Sequence, residues 1–180
     1  TASKHFAQHG IPVIDSDALA LRTIDPDGAA FDAVVEAFGS DILHEGAISR
    51  GALAEIVFQD PASLETLNQL IHPLVYAESA RLCEEYALAG HPVTLIEAAL
   101  HAEDGTLREE LDGLIVVDCP VEIRIRRLMD RRNMSRENAL MRIESQTAPE
   151  KKFPLARWII HNDKGLDDLQ QQVEAVIKEF

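Results

Sequence analysis

The chain has 180 residues, 46% of them hydrophobic, which suits one globular domain that buries about 70% of the surface its unfolded form would expose. Its two cysteines, Cys83 and Cys119, have neither CxxC spacing nor a nearby histidine pair, which argues against a zinc site or a disulfide framework and favours a reducing, cytosolic setting. The net charge of −14 disfavours nucleic acid and anionic membranes as partners, and the sequence shows neither a secretion signal nor an apolar run of roughly 18 residues that would span a bilayer.

Short apolar runs alternate with longer helical patterns along the chain, an order typical of a parallel α/β sheet. The predicted strands are 12–15, 93–97, 114–118 and 157–160. Helices are predicted at 2–9, 16–23, 29–38, 50–58, 62–69, 73–89, 121–132, 135–146 and 166–179. The segment from about 24 to 90 has no predicted strand and is interpreted as a helical insertion packed on the sheet. Because no strand precedes the first helix, we expect the sequence to start in mid-fold.

Each of the first three predicted strands ends on a carboxylate, at Asp15, Glu97 and Asp118. Ligands of open parallel sheets bind beyond the carboxyl ends of the strands, so these acids mark the expected site. The alternative is that a strand-end acid only caps the next helix. For Asp118, which is followed by Cys119-Pro120 and a helix, capping is the preferred interpretation.

Basic charge is concentrated in one window of this acidic chain. Between Arg124 and Lys152 lie nine of the 17 basic residues against four acids, giving the window a charge of +5 and leaving −19 on the rest. A run of charge is usually a solvated face. Such sharp segregation in an acidic protein favours an anion-binding function instead.

An ordered series of motifs runs through the whole chain. Its members are hydrophobic-Asp-x-Asp at 11–20, Phe38-Gly39-x-x-Ile42-Leu43, Gly46-x-Ile48-x-Arg50-x-x-Leu53, Val57-Phe58-x-Asp60-Pro61, Ile71-His72-Pro73-Leu74, a third-strand segment at 97–103, Val116-Val117-Asp118, Arg127-Leu128-x-x-Arg131, Ser135-x-Glu137, Arg142-Ile143-x-x-Gln146 and Ile160-His161-Asn162. This series resembles the dephospho-coenzyme A kinases. Two features depart from that family's pattern: its Gly-x-x-x-x-Gly-Lys-Ser/Thr loop and preceding strand would lie immediately before Thr1, and Glu97-Ala98-Ala99 stands where Asp-Ile-Pro is common.

The resemblance implies an α/β, P-loop kinase-like three-layer fold with a parallel sheet, its first strand outside this sequence. It implies one kinase domain over 1–180, with the core at 1–23, 91–120 and 155–180. Residues 24–90 would be the helical insertion that binds the acceptor, and 121–152 the lid and basic helices. The implied reaction transfers the γ-phosphate of ATP to the ribose 3′-hydroxyl of dephospho-coenzyme A, with Mg²⁺ as the metal.

Two residues are assigned catalytic roles by this resemblance. Asp17 would orient the acceptor hydroxyl and accept its proton, and Arg127 would stabilise charge on the transferred phosphoryl group. The alternative for the acid is that Asp17 or Ser16 is the N-cap of the following helix.

The other candidates bind substrates. The acceptor side comprises Asp15, Arg50, His72, Glu97 and Glu103, and the nucleotide side comprises Arg131, Arg142 and Asn162. Each has a structural alternative: the acids can be capping or surface groups, Arg50 can brace the insertion, and His72-Pro73 can be a helix junction. Asn162 can likewise belong to an ordinary turn. No residue is assigned as a direct metal ligand.

Three rival functions remain open at this stage. The chain could be a related nucleoside or nucleotide kinase, a non-catalytic nucleotide-binding remnant, or a nucleic-acid-binding protein that uses the Arg cluster. The helical insertion argues against a related kinase, and the charge of −19 outside the basic window argues against nucleic-acid binding. Whether the upstream codons encode the glycine-rich loop decides the case for a non-catalytic remnant. The oligomeric state does not follow from the sequence.

Overall fold

The computed structural model describes residues 1–98 and 106–180. Its elements, in chain order, are α1 (Ala2–Gln8), β1 (Val13–Asp15), α2 (Ser16–Thr23), α3 (Phe31–Phe38), β2 (Leu43–His44), β3 (Ala47–Ile48), α4 (Arg50–Gln59), α5 (Pro61–Leu88), β4 (Leu95–Glu97), β5 (Leu114–Asp118), α6 (Val121–Arg132), α7 (Arg136–Glu144), β6 (Ala156–His161) and α8 (Leu166–Ile177). Short 3-10 helices lie at Ser40–Ile42 and Pro149–Leu155. Within the described ranges, none of the helices has the length and apolar character needed to cross a membrane.

Backbone contacts divide the chain into two compact units. The central unit is Ile11–Ala98, and the terminal unit combines Thr1–Gly10 with Ala99–Phe180. The first helix therefore belongs with the C-terminal part of the chain. The functional division into core, insertion and lid is a separate matter and stays a prediction.

The central unit packs helices around a parallel strand pair. Strands β1 and β4 align Val13 with Leu95, Ile14 with Ile96 and Asp15 with Glu97. Ile14 is 3% exposed and joins a core to which α2, α3, α4 and α5 contribute buried apolar side chains, among them Leu19, Val34, Leu53 and Ile71. This packing fixes the β1–α2 junction, where the predicted catalytic acid lies.

Two predictions for the 24–90 segment are wrong. The helix break at His72-Pro73 is absent, because α5 runs unbroken for 28 residues with Pro73 inside it. A proline in a helix removes one backbone hydrogen bond, but Ile71 and Val75 on either side of it are both buried in the core, and their burial favours continuation. The expectation of no strand also fails, since β2 and β3 form a small antiparallel hairpin. Its two-residue turn, Glu45-Gly46, has positive φ at both positions, as a type I′ turn requires.

Helix α5 starts at a well-formed cap. The Asp60 carboxylate accepts hydrogen bonds from the backbone N–H groups of Ala62 (3.1 Å) and Ser63 (3.0 Å) and from the Ser63 hydroxyl (2.6 Å). The hydrogen bond from the Ser63 hydroxyl has the largest effect on the pKa of Asp60, and the one from the Ala62 amide has the next largest. Both hold that pKa below its ordinary value. The charged carboxylate is therefore the form that stabilises the helix start.

We expect Asp60→Ala to lower the melting temperature at pH 7 and to have a smaller effect as the pH falls toward 3. Because the pKa of Asp60 is lower in the folded protein than in the unfolded chain, the ionised carboxylate stabilises the fold. This contribution is fully present above the unfolded pKa of about 3.9 and is lost as the pH falls through the lower pKa of the folded protein. Thermal unfolding of both proteins between pH 3 and pH 7 measures this difference. Asp60→Asn is the matched control because asparagine caps equally well without a charge. An equal difference between wild type and Asp60→Ala at pH 3 and at pH 7 would show that the charge of the cap contributes nothing to stability.

The terminal unit contains a second parallel pair. Strands β5 and β6 align Val117 with Ile160 and Asp118 with His161. Helix α8 buries Leu169 and Val173, and α1 packs against it, with Phe6 stacked on Phe180 at 6.2 Å between ring centroids. Trp158 is half-buried, and its indole N–H donates to Glu179 at 2.7 Å. The arrangement holds the carboxyl end of β6 against α8.

Candidate active site

The β1–α2 junction separates the roles of the two predicted aspartates. Asp15 is the N-cap of α2, and its carboxylate accepts from the Ala18 N–H at 3.0 Å. The capping alternative proposed for Asp17 or Ser16 is therefore wrong, because the cap lies one or two residues earlier. Asp17 stands in the first turn of α2 with its side chain exposed.

Glu97 lies beside Asp15 at the carboxyl ends of the parallel pair. The two residues are directly aligned in the β1–β4 register, and both are exposed. Two carboxylates thus flank the start of the helix that carries Asp17. This is the grouping expected where parallel strands end, and it forms the acidic part of the candidate site. Glu103 lies outside the described residues.

Arg50 and His72 lie elsewhere in the central unit. Arg50 is the first residue of α4, and its guanidinium is 3.7 Å from the Asp25 carboxylate. His72 is exposed within α5, with its ring 5.7 Å from the Tyr76 ring. Within residues 1–98 and 106–180, no hydrogen bond or ion pair joins either side chain to Asp15 or Glu97. Their roles as acceptor contacts stay predictions.

In the terminal unit, Arg127 reaches from α6 to the turn after β6. Its Nη1 donates to the Asn162 carbonyl at 2.8 Å and approaches the Cys119 sulfur at 3.4 Å, and its Nη2 donates to the Lys164 carbonyl at 3.4 Å. The side chain is half-buried, in contrast to the exposed Arg126 beside it. Two residues predicted from separate motifs, Arg127 and Asn162, are therefore in direct contact.

Arg131 and Arg142 are exposed on the two basic helices. Arg131 lies in the last turn of α6 and Arg142 in the last turn of α7. A bidentate ion pair between Arg136 and Glu122, at 2.7 and 3.0 Å, holds the two helices together. A longer hydrogen bond joins Arg124 of α6 to Gln146, just after α7. The exposed guanidiniums are thus carried on a braced helix pair, α6–α7, and are available to an anionic ligand.

The interpretation of Asp118 as a helix cap is wrong. The N-cap of α6 is Pro120, which makes no side-chain bond, while the Asp118 carboxylate pairs with the His161 ring at 3.2 Å. The backbone of His161 is in turn bound by Gln172 of α8. Sequence reasoning placed His161 in a motif but missed its contacts with Asp118 and Gln172, because no local pattern links β5, β6 and α8. The one available signal was that both strands end on a polar residue.

An open cleft of about 530 Å³ also lies in the terminal unit, between the start of α6 and the end of α7. Its lining includes Cys119, Arg124, Gln146 and Lys151. Burial raises the pKa of the Cys119 thiol, and the nearby guanidiniums of Arg127 and Arg124 only partly oppose that shift. Cys119 is therefore a neutral thiol and a poor nucleophile at neutral pH. Of the predicted site residues that the structure describes, none lines this cleft.

Comparison with known proteins decides the family. Residues 1–168 match the family model described as dephospho-CoA kinase. The chain belongs to the dephospho-CoA kinase family. A dephospho-CoA kinase from Streptomyces avermitilis is 37% identical over 172 residues, covering 95% of this chain and 82% of that protein. One from Listeria monocytogenes is 33% identical over 181 residues, covering all of this chain and 90% of its own.

Solved structures agree with this dephospho-CoA kinase assignment. The chain is similar to TT1252 from Thermus thermophilus, with a TM-score of 0.80 at 32% identity over 98% of this chain and 88% of the other. It is also similar to dephospho-CoA kinase from Campylobacter jejuni, with a TM-score of 0.69 at 27% identity over 99% and 90%. The predicted family and the α/β P-loop kinase fold are thereby confirmed, and the chain is that of an enzyme. The roles of individual residues are not tested by these likenesses.

Proposed function

We propose that this protein transfers the γ-phosphate of ATP to the ribose 3′-hydroxyl of dephospho-coenzyme A, giving coenzyme A and ADP. The observation that carries the proposal is the match of residues 1–168 to the dephospho-CoA kinase model, supported by relatives covered over 82% and 90% of their length. A cytosolic location and the absence of nucleic-acid partners stay predictions.

In the proposed mechanism, Asp17 accepts the proton of the acceptor hydroxyl as its oxygen bonds to the γ-phosphorus and the bond to the ADP oxygen breaks. Its exposure at the start of α2 supports this role, as does the use of Asp15 rather than Asp17 as the helix cap. Arg127 stabilises the charge that spreads over the phosphoryl oxygens. Arg131 and Arg142 approach the triphosphate from the α6–α7 pair, and Asn162 binds at the adenine end.

Magnesium fits the acidic part of the site in a specific way. Within the described residues, no group of three or more His, Cys, Asp or Glu side chains could hold a metal ion alone. Mg²⁺ in kinases typically takes one or two carboxylates and completes its octahedron with water and substrate phosphates. Asp15 and Glu97, aligned on neighbouring strands, are the residues that would hold it or its waters. When bound, the ion neutralises charge on the phosphates.

The reaction is tested by coupled measurement of ADP release from the full-length gene product, with ATP, Mg²⁺ and dephospho-coenzyme A. We expect release to depend on the acceptor and coenzyme A to form in equal amount. A panel of nucleosides and nucleotides at the same concentration is the control for acceptor identity. Turnover with a panel member and none with dephospho-coenzyme A would replace the proposal with a related kinase. ATP binding without turnover on any acceptor would indicate a nucleotide-binding protein that lacks catalysis.

A further inference from the structure

The last residue of β6 is bound on its outer edge by one side chain of α8. The Gln172 amide accepts a hydrogen bond from the His161 N–H at 2.8 Å and donates one to the His161 carbonyl at 2.8 Å. On the inner edge, the next residue along the chain, Asn162, donates its N–H to the Asp118 carbonyl of β5 at 2.7 Å. Gln172 therefore satisfies the two backbone groups of His161 as a neighbouring strand would.

The Gln172 amide is itself held in one orientation. Its Nε2 also donates to the Asp168 carboxylate one turn earlier in α8, at 2.7 Å, and Asp168 accepts from the Lys164 ammonium at 3.2 Å. Both N–H donors and the carbonyl oxygen of the amide are thus engaged, so a flipped amide would place its NH₂ against the His161 N–H and its oxygen against a carboxylate. The side chain is half-buried, which limits competition from water.

The turn at 161–165 is consequently bound from two sides. Gln172 holds its first residue from α8, and Arg127 holds the carbonyls of Asn162 and Lys164 from α6. These are the backbone positions that set the direction of the Asn162 side chain. A shift of about 1 Å in such a segment is enough to weaken a bound ligand's orientation substantially.

We propose that Gln172 is a positioning residue for nucleotide binding, acting through the backbone of His161 on the turn at 161–165. The inference rests on the proposed function in one respect, namely that this turn meets the adenine end of ATP. Gln172 itself does not touch the nucleotide. Its removal should therefore act mainly on the affinity for ATP and leave the phosphoryl-transfer step nearly intact.

The test compares Gln172→Met with Gln171→Met in the full-length protein. Methionine is close to glutamine in size and is a good helix former, so the change removes the amide and little else. Gln171, on the same helix, is exposed, and its side chain makes no hydrogen bond within the described residues, which makes it the matched control. We expect Gln172→Met to raise KM for ATP about three- to tenfold and to leave kcat within about twofold of wild type. An effect of this size on KM is consistent with the modest net free energy of the two hydrogen bonds to His161 that are lost. Gln171→Met should change neither.

Direct titration with ATP, in the absence of acceptor, gives a readout that does not depend on the kinase reaction. A weaker Kd for Gln172→Met at an unchanged stoichiometry supports the positioning role even if dephospho-coenzyme A is not the acceptor. An unchanged Kd and KM would overturn it. A loss of kcat or of binding stoichiometry in proportion to a lower melting temperature would also overturn it, because that pattern indicates a structural role in holding α8 on β6.

Discussion

Asp17→Asn should reduce kcat by about a hundred- to ten-thousandfold, the contribution usually made by a positioned general base. The change keeps the size and shape of the side chain and removes only its ability to accept a proton. Because Asp15 caps α2, the helix start stays intact in the variant. The Kd for ATP should therefore stay within about twofold of wild type. Single-turnover measurement of coenzyme A formation, beside an ATP titration, separates the two effects.

Asp32→Asn is the matched control for this experiment. Asp32 is also an exposed acid in the first turn of a central-unit helix, α3, so its substitution removes the same favourable interaction with the helix dipole. Its turnover should equal that of wild type. If Asp17→Asn lost ATP binding together with turnover, Asp17 would be assigned to nucleotide binding or to structure and not to catalysis.

Arg127→Lys should lower kcat/KM for ATP by about a hundred- to a thousandfold, the effect typical of removing one donor from a developing oxyanion. A guanidinium has five N–H donors in a planar fork. Among the residues that the structure describes, the contacts of Arg127 use Nη1 and Nη2 and leave its Nε–H available. It can therefore hold the turn at 161–165 and contact a phosphate at the same time. Lysine presents one compact charge and cannot do both.

The control is Arg126→Lys, which changes the same residue type one position away on an exposed face of α6. Steady-state kinetics over a range of ATP concentrations, with thermal unfolding of each variant, measure the outcome. A fall in melting temperature with kcat/KM preserved would mean that Arg127 serves only to attach the turn to α6. Loss of kcat/KM at an unchanged melting temperature supports the phosphate role.

Elements with strong local signals could be predicted from the sequence. Helix α2 and strand β5 were predicted at the bounds observed, because the change from a short apolar run to a helical pattern marks where each strand ends and the next helix begins. Helix α5 was predicted as two helices, since the local cost of Pro73 was weighed without the packing of Ile71 and Val75. The β2–β3 hairpin was missed because strands of two residues have no measurable alternation.

The candidate site could likewise be predicted from the sequence only in part. The alignment of Asp15 with Glu97 followed from one rule, that parallel strands present their carboxyl ends at one edge. The contact between Arg127 and the Asn162 carbonyl, 35 residues apart, depends on how α6 lies across the end of β6, which residue spacing does not encode. Three further contacts also depend on three-dimensional placement. They are the capping bond of Asp15, the pairing of Asp118 with His161 and the hydrogen bonds of Gln172 to the His161 backbone.

The packing of α1 on α8 has a consequence for how the protein is made. Helix α1 emerges from the ribosome long before Phe180, on which Phe6 stacks, because the two lie at opposite ends of this sequence. At synthesis rates of about 5–20 residues per second, α1 waits roughly 10–30 s for that surface. The central unit, Ile11–Ala98, is continuous in sequence and can collapse during the wait. Folding of the terminal unit is thus held until Phe180 has been translated, and a ribosome stalled before that point would leave the buried face of α1 exposed to chaperones and proteases.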